Sequence, residues 1–299
     1  MTLHESKPSF AEGRGFPDFG RLVGDPPSAA ATRPARPARA LYEQVELGPL
    51  RIDGTTTEDC FDRLARLAAP EPWTAPGRDG TWLLREYLEQ TFERLHAQRR
   101  IAVAADGSRS LFDTGLTTAD DSVIYALCLP GANPDGAPWA LQSWVVEDDP
   151  RVADRFPDRP GRAEFTADPA ELVFDWRLPL TAHPRSLLDN RESVAVLPAE
   201  LRTNPYLAGL VMEGAIRRAE TRAHRDPRSP VPAWDATAEK VSLLLPLALS
   251  SPDTADVALV VAQEPSAYRA VSILALDVAR SRARLLSRRT DWLAAPVEG

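Results

Sequence analysis

The sequence predicts an α+β fold in which helices cover an antiparallel or mixed sheet. Helically spaced apolar residues come first, and hairpin-linked apolar stretches follow. The alternation of strands and helices is too irregular for a doubly wound parallel sheet. Of the 299 residues 43% are hydrophobic and 26% are charged, which is enough to bury a large core. We expect a single compact α+β domain over residues 41–299.

Residues 1–40 differ from the rest in composition. The stretch 24–40 is rich in Pro, Ala and Arg and has no apolar period. Such a segment cannot bury enough surface to become ordered. We therefore predict a flexible, partly polyproline-like arm, disordered on its own. A solvated linker is favoured over an arm whose arginines bind an acidic partner.

Two helices are predicted in the first third of the domain. Thr56 and Asp59 form a weak capping box before a short amphipathic helix that Pro70 ends. A longer helix is predicted from Trp82 to Gln98. Its buried stripe is expected to contain Leu84, Tyr87, Leu88, Thr91 and Leu95.

Strands are predicted next. Asp106-Gly107 stands between two apolar runs, which is a strong hairpin signal. Further strands are expected at residues 123–129 and 139–146. Residues 147–202 are rich in Pro and Asp, and we predict that this stretch is irregular.

The last third is predicted to hold one long helix, three strands and a final helix. Asn204 caps the long helix, and Pro205 suits its first position, so we predict a helix from 205 to about 222. Its buried face is expected to carry Leu207, Leu210, Val211 and Gly214. The three strands and the final helix are predicted at 241–249, 255–262, 268–276 and 277–287.

The sequence lacks the usual motifs of several enzyme classes. It has no phosphate-binding P-loop, no dinucleotide-binding glycine fingerprint, no nucleophile elbow and no zinc-protease helix. The four histidines are scattered, and the two cysteines, Cys60 and Cys128, lie among apolar residues, so we interpret both as buried hydrophobes. No secretory signal or membrane-length apolar run is present. We expect a cytoplasmic protein without a membrane partner.

Carboxylates and arginines are therefore the candidates for any chemistry. Acidic residues outnumber basic ones, 43 to 35, and only two of the basic residues are lysines. An arginine guanidinium is a planar fork that grips phosphate or carboxylate at two points. No metal site is predicted, and no cofactor is identified.

Asp113 is the first candidate catalytic residue. It lies in Phe112-Asp113-Thr114-Gly115-Leu116, at the end of a predicted hairpin strand. The simpler interpretation is a turn in which Asp113 accepts backbone amides and Gly115 supplies a positive φ.

A second candidate cluster combines Asp175 and Arg177 with Asp189 and Asn190. Asp175 and Arg177 are two residues apart, so they project to the same face of an extended segment. They would form either a structural ion pair or a carboxylate and guanidinium beside a ligand.

The third cluster lies where the last strand meets the last helix. Asp277, Arg280 and Arg284 are spaced i, i+3 and i+7, which places them on one helical face. A carboxylate with two cations at a sheet end suits the binding of a phosphate. The alternative is a capping Asp with exposed arginines.

Arginines also concentrate in two segments, 217–228 and 280–289. If these segments adjoin, they form a basic face able to bind RNA or a polyphosphate. An ordinary solvated surface is the alternative.

The chain resembles a known family over about residues 60–293. The resemblance is carried by blocks at 67–73 (LAAPEPW), 84–95 (LREYLEQTFERL), 112–116 (FDTGL), 124–127, 172–180, 189–191, 243–249, 255–261 and 274–286. The family is the bacterial and fungal domain of unknown function 3825. The resemblance implies a single compact domain, joined in some relatives to RNA-binding modules of the cold-shock or LOTUS type. The chain departs from the family pattern at Asp113, where relatives tend to have Asn. It also departs at Ser281 and Arg282, which replace amide side chains. These differences allow a divergent substrate.

Three functional hypotheses follow. The first is binding or processing of RNA or a phosphate-bearing nucleotide, with Arg177, Arg280 and Arg284 on phosphates and Asp277 orienting them. The second is an enzyme, a hydrolase or transferase for a phosphate-bearing or amino-acid-like small molecule, with Asp113, Asp175 or Asp277 as base or metal ligand. The third is an adaptor that uses the arm at residues 1–40. Convergence of these side chains on one pocket would favour a ligand site.

Overall fold

The strands in the described part of the chain are divided between two five-stranded sheets and one two-stranded hairpin. The computed structural model describes residues 40–52, 56–78, 80–166, 168–287 and 291–293, which belong to one compact unit. The predicted α+β class is confirmed. The pattern did not predict that the strands would separate into two sheets.

The first sheet is built by the N-terminal half of this unit. The elements are α1 (Ala40–Gln44), β1 (Val45–Glu46), β2 (Leu50–Ile52), β3 (Thr56–Glu58), α2 (Cys60–Leu67), α3 (Trp82–Ala97), β4 (Ala102–Val103), β5 (Ser110–Thr117), β6 (Val123–Pro130), β7 (Trp139–Val146) and α4 (Pro150–Ala153). The strand order of the sheet is β1-β7-β6-β5-β4, with β1 parallel to β7 and the other pairs antiparallel. The small hairpin pairs β2 with β3.

The second sheet is built by the C-terminal half. A 3₁₀ turn at Pro169–Leu172 precedes it. The elements are β8 (Leu180–Thr181), α5 (Pro184–Asp189), α6 (Arg191–Ala195), α7 (Ala199–Arg202), α8 (Pro205–Arg225), β9 (Val231–Asp235), β10 (Lys240–Leu247), β11 (Val257–Gln263), β12 (Tyr268–Leu274) and α9 (Leu276–Arg284). The strand order is β8-β12-β11-β10-β9, with β8 parallel to β12. A second 3₁₀ turn follows at Asp291–Leu293.

The two halves have the same topology. Each begins with a short edge strand, continues through helices, and then forms four antiparallel strands, the last of which pairs in parallel with the edge strand. A helix follows the fourth strand in both halves, α4 in the first and α9 in the second. The structure thus repeats an arrangement for which we find no repeat in the sequence.

Alternation along the strands places a helical layer on each face of each sheet. On β6, Ile124, Ala126 and Cys128 pack in one cluster with α2 and α3, whereas Tyr125 and Leu127 pack in another with Val152 of α4 and Phe156 just beyond it. The second sheet is arranged likewise. Leu243 and Leu245 pack with α8, and Leu244 packs with Ala279 and Ala283 of α9.

The halves meet where α3 packs against α9. Trp234 of β9 and Leu285, just after α9, belong to the same buried cluster as Leu84, Leu88 and Leu95 of α3. One apolar core therefore crosses from the first half to the second, and it holds α9 beside the surface of α3.

Most predicted elements are confirmed. Asn204 caps α8 by accepting the amide of Leu207. The predicted capping box is wrong: Thr56 lies in β3, and Asp59 itself caps α2 by accepting the amides of Phe61 and Asp62. The predicted stripe of α3 is buried throughout. The hairpin turn contains Gly107 at a φ of 68°.

The predicted buried face of α8 is wrong at three of its four residues. Leu207 is 40% and Leu210 is 53% exposed, and Gly214 is exposed, whereas Val211 packs partly buried against the core. The face that the helix packs on the sheet consists of four alanines, a methionine and an isoleucine. These buried residues are Ala208, Met212, Ala215, Ile216, Ala219 and Ala223.

Other short elements were missed. They include α1, β1 and the β2-β3 hairpin. The described part of the stretch 147–202 contains four short helices and strand β8 among irregular segments, and strand β9 precedes β10. Each of these elements is only two to six residues long, too short to show a period. The predicted arm, residues 1–40, lies outside the described residues except for Ala40. In the described part of the chain, no helix combines the length and apolar character needed to cross a membrane.

Candidate functional site

A cavity of about 400 Å³ lies where the two halves meet. Its walls come from α3, from β5, from the end of α9 and from the segment that joins the two halves. The side chains and backbone that line it belong to Tyr87, Thr91, Gly115, Thr117, Arg162–Thr166, Leu172 and Arg284–Ser287. The cavity is therefore assembled from both halves and their connection.

Arg284 forms one side of this cavity. Its Nε lies 2.6 Å from Oε2 of Glu71, and its Nη2 lies 2.8 Å from Oε1, a two-point ion pair with both side chains largely buried. The guanidinium carbon is 4.9 Å from the centre of the Tyr87 ring and 5.6 Å from that of Trp73. Burial opposes the charge of Arg284, but Glu71 and Tyr87 more than offset this, so the pKa of Arg284 is raised. The pair fixes the guanidinium beside the Tyr87 ring.

Tyr87 projects from α3 towards β5. Its hydroxyl interacts with Thr91 and Arg284, and burial raises the pKa of Tyr87, so the phenol is protonated at neutral pH. Gly115, at a φ of 72°, makes this approach possible. A Cβ atom on Gly115 would lie only 2.4 Å from the Tyr87 oxygen. The glycine of the FDTGL block thus makes room for the tyrosine hydroxyl.

Asp113 lies next to the cavity but does not line it. Its Oδ1 accepts the amide of Gly115 at 2.7 Å, as the turn interpretation predicts. Burial raises the pKa of Asp113, and the Gly115 amide and the charge of Arg162 act in the opposite direction. Asp113 is 7% exposed, so it is a buried acid. Its charge acts on Tyr87 at the cavity wall.

The segment 162–166 forms the opposite wall. Arg94 and Gln98 donate to the carbonyl of Glu164 at 2.7 and 2.6 Å, and Arg100 donates to the carbonyl of Arg162 at 2.6 Å. Arg100 also pairs with the Glu164 carboxylate. These bonds from α3 and the residues after it hold the backbone of the segment. The Arg162 side chain is exposed and forms no ion pair with any described carboxylate.

The face of α9 predicted to carry three polar residues is real. Asp277, Arg280 and Arg284 all contact one stretch of the first half, residues 71–78. Arg78 donates to Asp277 at 3.0 Å, Arg280 donates to the carbonyl of Pro72, and Arg284 pairs with Glu71. These residues tie the halves together, and only Arg284 reaches the cavity at the end of the helix.

The other predicted site residues lie elsewhere. Asp175 and Arg177 form a two-point ion pair with each other, with Arg177 73% exposed at its side chain. Asp189 is exposed at the end of α5, and Asn190 accepts the amide of Glu192 as the cap of α6. None of these four residues lines the cavity.

The helical parts of the two arginine-rich segments lie apart. Segment 217–228 begins on α8 and segment 280–289 begins on α9, and these helices pack on opposite faces of the second sheet. The far end of segment 217–228 leads into β9, which packs against α9, and Arg288 and Arg289 lie outside the described residues. Arg217 also pairs with Glu213 on its own helix. The arginines of α8 and those of α9 therefore do not form a single basic face.

Sequence reasoning missed three residues that shape the cavity. Tyr87 was interpreted as a core residue, and neither Glu71 nor Arg162 was identified. A signal did exist, because the blocks at 67–73, 84–95, 112–116 and 274–286 supply Glu71, Tyr87, Gly115 and Arg284. Arg162 belongs to none of the blocks. Among the described residues, no group of three or more His, Cys, Asp or Glu side chains is placed to hold a metal ion.

Comparison with known sequences identifies one family. The family model described as "Domain of unknown function (DUF3825)" matches residues 64–292, most of the chain. The matched region includes every residue that lines the cavity. No curated protein and no solved structure matches the chain.

Proposed function

We propose that this chain, which belongs to the DUF3825 family, binds a phosphate-bearing nucleotide in the cavity between its two halves. The family description assigns no activity, so the proposal rests on the chain's own residues. We also propose a cytoplasmic location, where nucleotides are abundant. In this proposal an RNA binds by placing its terminal nucleotide in the same cavity.

The observation that carries the proposal is the charge at the cavity wall. Glu71 and Glu164 are each paired with an arginine, Arg284 and Arg100. Arg162 is left as a cation without an ion pair among the described residues. An unpaired guanidinium at the mouth of a cavity favours an anionic group, and its planar fork matches the geometry of a phosphate.

The size and lining of the cavity agree with a nucleotide. A volume of about 400 Å³ lies within the usual range for small-molecule sites, roughly 300–1,000 Å³. Phe165, Leu172 and Leu285 provide apolar walls for a base. Tyr87 and Thr91 provide hydroxyl groups that fix orientation. The guanidinium of Arg284 is already engaged by Glu71. Arg284 therefore contributes to ligand binding by positioning Tyr87.

Calorimetric titration with AMP and ADP tests the proposal. Arg162→Ala is expected to weaken binding by at least about tenfold, as loss of a charge-assisted contact does. Raising the salt from about 50 mM to about 200 mM is expected to weaken binding to the unmodified protein and to affect the variant less. Equal affinity of Arg162→Ala and the unmodified protein would refute the proposal.

Arg177→Ala is the matched control. It also removes an exposed arginine, but one that pairs with Asp175 away from the cavity. We expect it to leave the affinity for AMP and ADP unchanged. If both variants lose affinity equally, the phosphate is attracted by overall charge rather than by this cavity.

A second candidate function is catalysis at the same site, a hydrolysis or group transfer on the bound phosphate compound. The observation that favours it is the buried carboxyl of Asp113 beside the cavity, with its raised pKa. A carboxyl whose pKa is raised by burial is better suited than an exposed one to hold and donate a proton. Asp113→Asn would then abolish turnover, followed by phosphorus NMR, while nucleotide binding persists.

A further inference from the structure

A second cavity, of about 320 Å³, lies at the other end of α9. Ala75 and Pro76 of the first half, Val196, Leu276 and Leu293 give it apolar walls. Three charged side chains also line it, those of Asp256, Asp277 and Arg280. It shares no lining residue with the cavity proposed for the nucleotide.

Asp277 is already neutralised in this second cavity. Its Oδ2 accepts from Arg78 at 3.0 Å, and its Oδ1 accepts the amide of Val278 at 2.8 Å. It is therefore part of the contact between the halves and offers no free charge to a ligand.

Arg280 leaves positive charge uncompensated. One of its nitrogens donates to the carbonyl of Pro72, and it forms no ion pair with any described carboxylate. The charge of Glu71 acts on Arg280, but Glu71 is held in a two-point pair by Arg284. Two guanidinium groups thus share one carboxylate. The side chain of Arg280 has further N–H donors for a ligand.

Asp256 presents the opposite charge. Its Oδ2 accepts the amides of Leu249 and Ser250 at 2.6 and 2.9 Å, which fixes the carboxylate at the start of β11. It forms no ion pair with a cation in the described part of the chain. The cavity therefore holds one cation and one carboxylate, each without an oppositely charged partner, between apolar walls.

We propose that this second cavity binds a free α-amino acid with an apolar side chain. The ligand carboxylate contacts Arg280, the ammonium group contacts Asp256, and the side chain lies against Pro76, Leu276 and Leu293. Partly buried charges cost free energy unless they are paired. A zwitterion pairs both at once, whereas a fatty acid or an apolar amine would pair one and leave the other.

Calorimetry or ligand-detected NMR with L-leucine as the probe tests this site. Two analogues remove one charge each: leucinamide lacks the carboxylate, and 4-methylpentanoate lacks the ammonium group. Each is expected to bind the unmodified protein roughly tenfold to a hundredfold more weakly than leucine. Equal binding of either analogue, or absence of leucine binding, would overturn the proposal.

Variants give the second readout. Asp256→Asn retains an oxygen for the amides of Leu249 and Ser250 and removes the charge. It should lose affinity for leucine and keep its affinity for 4-methylpentanoate. Arg280→Gln should lose affinity for leucine and keep its affinity for leucinamide. Because the analogues are tested on the unmodified protein, a variant that fails to fold does not weaken the test.

The two sites are distinguishable. Arg162→Ala should leave leucine binding intact, and Asp256→Asn should leave AMP binding intact. Loss of AMP binding in Asp256→Asn would mean that the second cavity is not an independent site, which contradicts the proposal.

Discussion

Arg284 reaches Glu71 across 213 residues of sequence, and the two side chains form a two-point ion pair at 2.6 and 2.8 Å. One residue ends the last helix of the second half, and the other precedes α3 in the first half. The pair is 11% and 16% exposed at its side chains. A largely buried contact between charges so distant in sequence forms only when both halves are folded and docked.

We expect Arg284→Met to destabilise the fold strongly. The substitution removes the two-point ion pair of the largely buried Glu71 carboxylate, and breaking a buried pair on one side costs about 3–5 kcal/mol. Urea unfolding monitored by tryptophan fluorescence measures the change. The control Arg177→Met breaks an exposed pair and should leave the free energy of unfolding unchanged.

The double variant Glu71→Gln, Arg284→Met separates two explanations. If the loss comes from a buried carboxylate that has lost its ion pair with Arg284, the double variant regains most of the stability. If it comes from lost packing against Tyr87 and Trp73, the double variant stays as unstable as the single one.

The sequence predicted local structure better than it predicted the site. The long helix α3, the cap at Asn204 and the Asp106-Gly107 hairpin depend on residues near one another in the chain, so their patterns are visible. The buried face of α8 was predicted from large apolar residues. The helix instead buries four alanines together with Met212 and Ile216, because packing on the sheet decides which face is buried, and the large apolar residues alone do not reveal it.

The site depends on contacts between distant residues. The spacing of Asp277, Arg280 and Arg284 correctly indicated one helical face. It did not indicate that residues 71–78 lie along this face and engage all three side chains. Arg162 lies in an irregular segment whose position is set by Arg94, Gln98 and Arg100, and no spacing rule connects these residues.

Gly115→Ala should destabilise the protein through two separate effects. An alanine at a φ of 72° costs about 1–2 kcal/mol of backbone strain. Its Cβ also meets the hydroxyl oxygen of Tyr87, which has to move. In a Tyr87→Phe background that oxygen is absent, so the same substitution should cost about 1 kcal/mol less. Equal costs in both backgrounds, measured by thermal unfolding, would show that Tyr87 does not constrain this position.

Neither cysteine should react in the folded protein. Burial, together with the nearby charge of Asp59, raises the pKa of Cys60 to about 11, and burial raises that of Cys128 to about 12. At pH about 8 the reactive thiolate is then about one part in a thousand or less. We expect slow or no reaction with Ellman's reagent under native conditions and two thiols released in urea. Rapid native labelling of one thiol would show that its surroundings open in solution.

Asp113 should make stability depend on pH in a direction opposite to that of most carboxylates. Its pKa is raised in the folded state above the ordinary value of 3.8, chiefly by burial. The stability that this group contributes is therefore complete below pH 3.8 and is lost as the pH rises through the raised pKa. Asp113→Asn does not titrate and can still accept the Gly115 amide, so its advantage over the unmodified protein should grow as the pH rises from about 4 to about 8. Urea unfolding across this range measures the difference. Arg162→Ala provides the control, since removing the cation that favours the charged carboxylate should enlarge the gain from Asp113→Asn, and a gain that shrinks with rising pH would contradict the assignment.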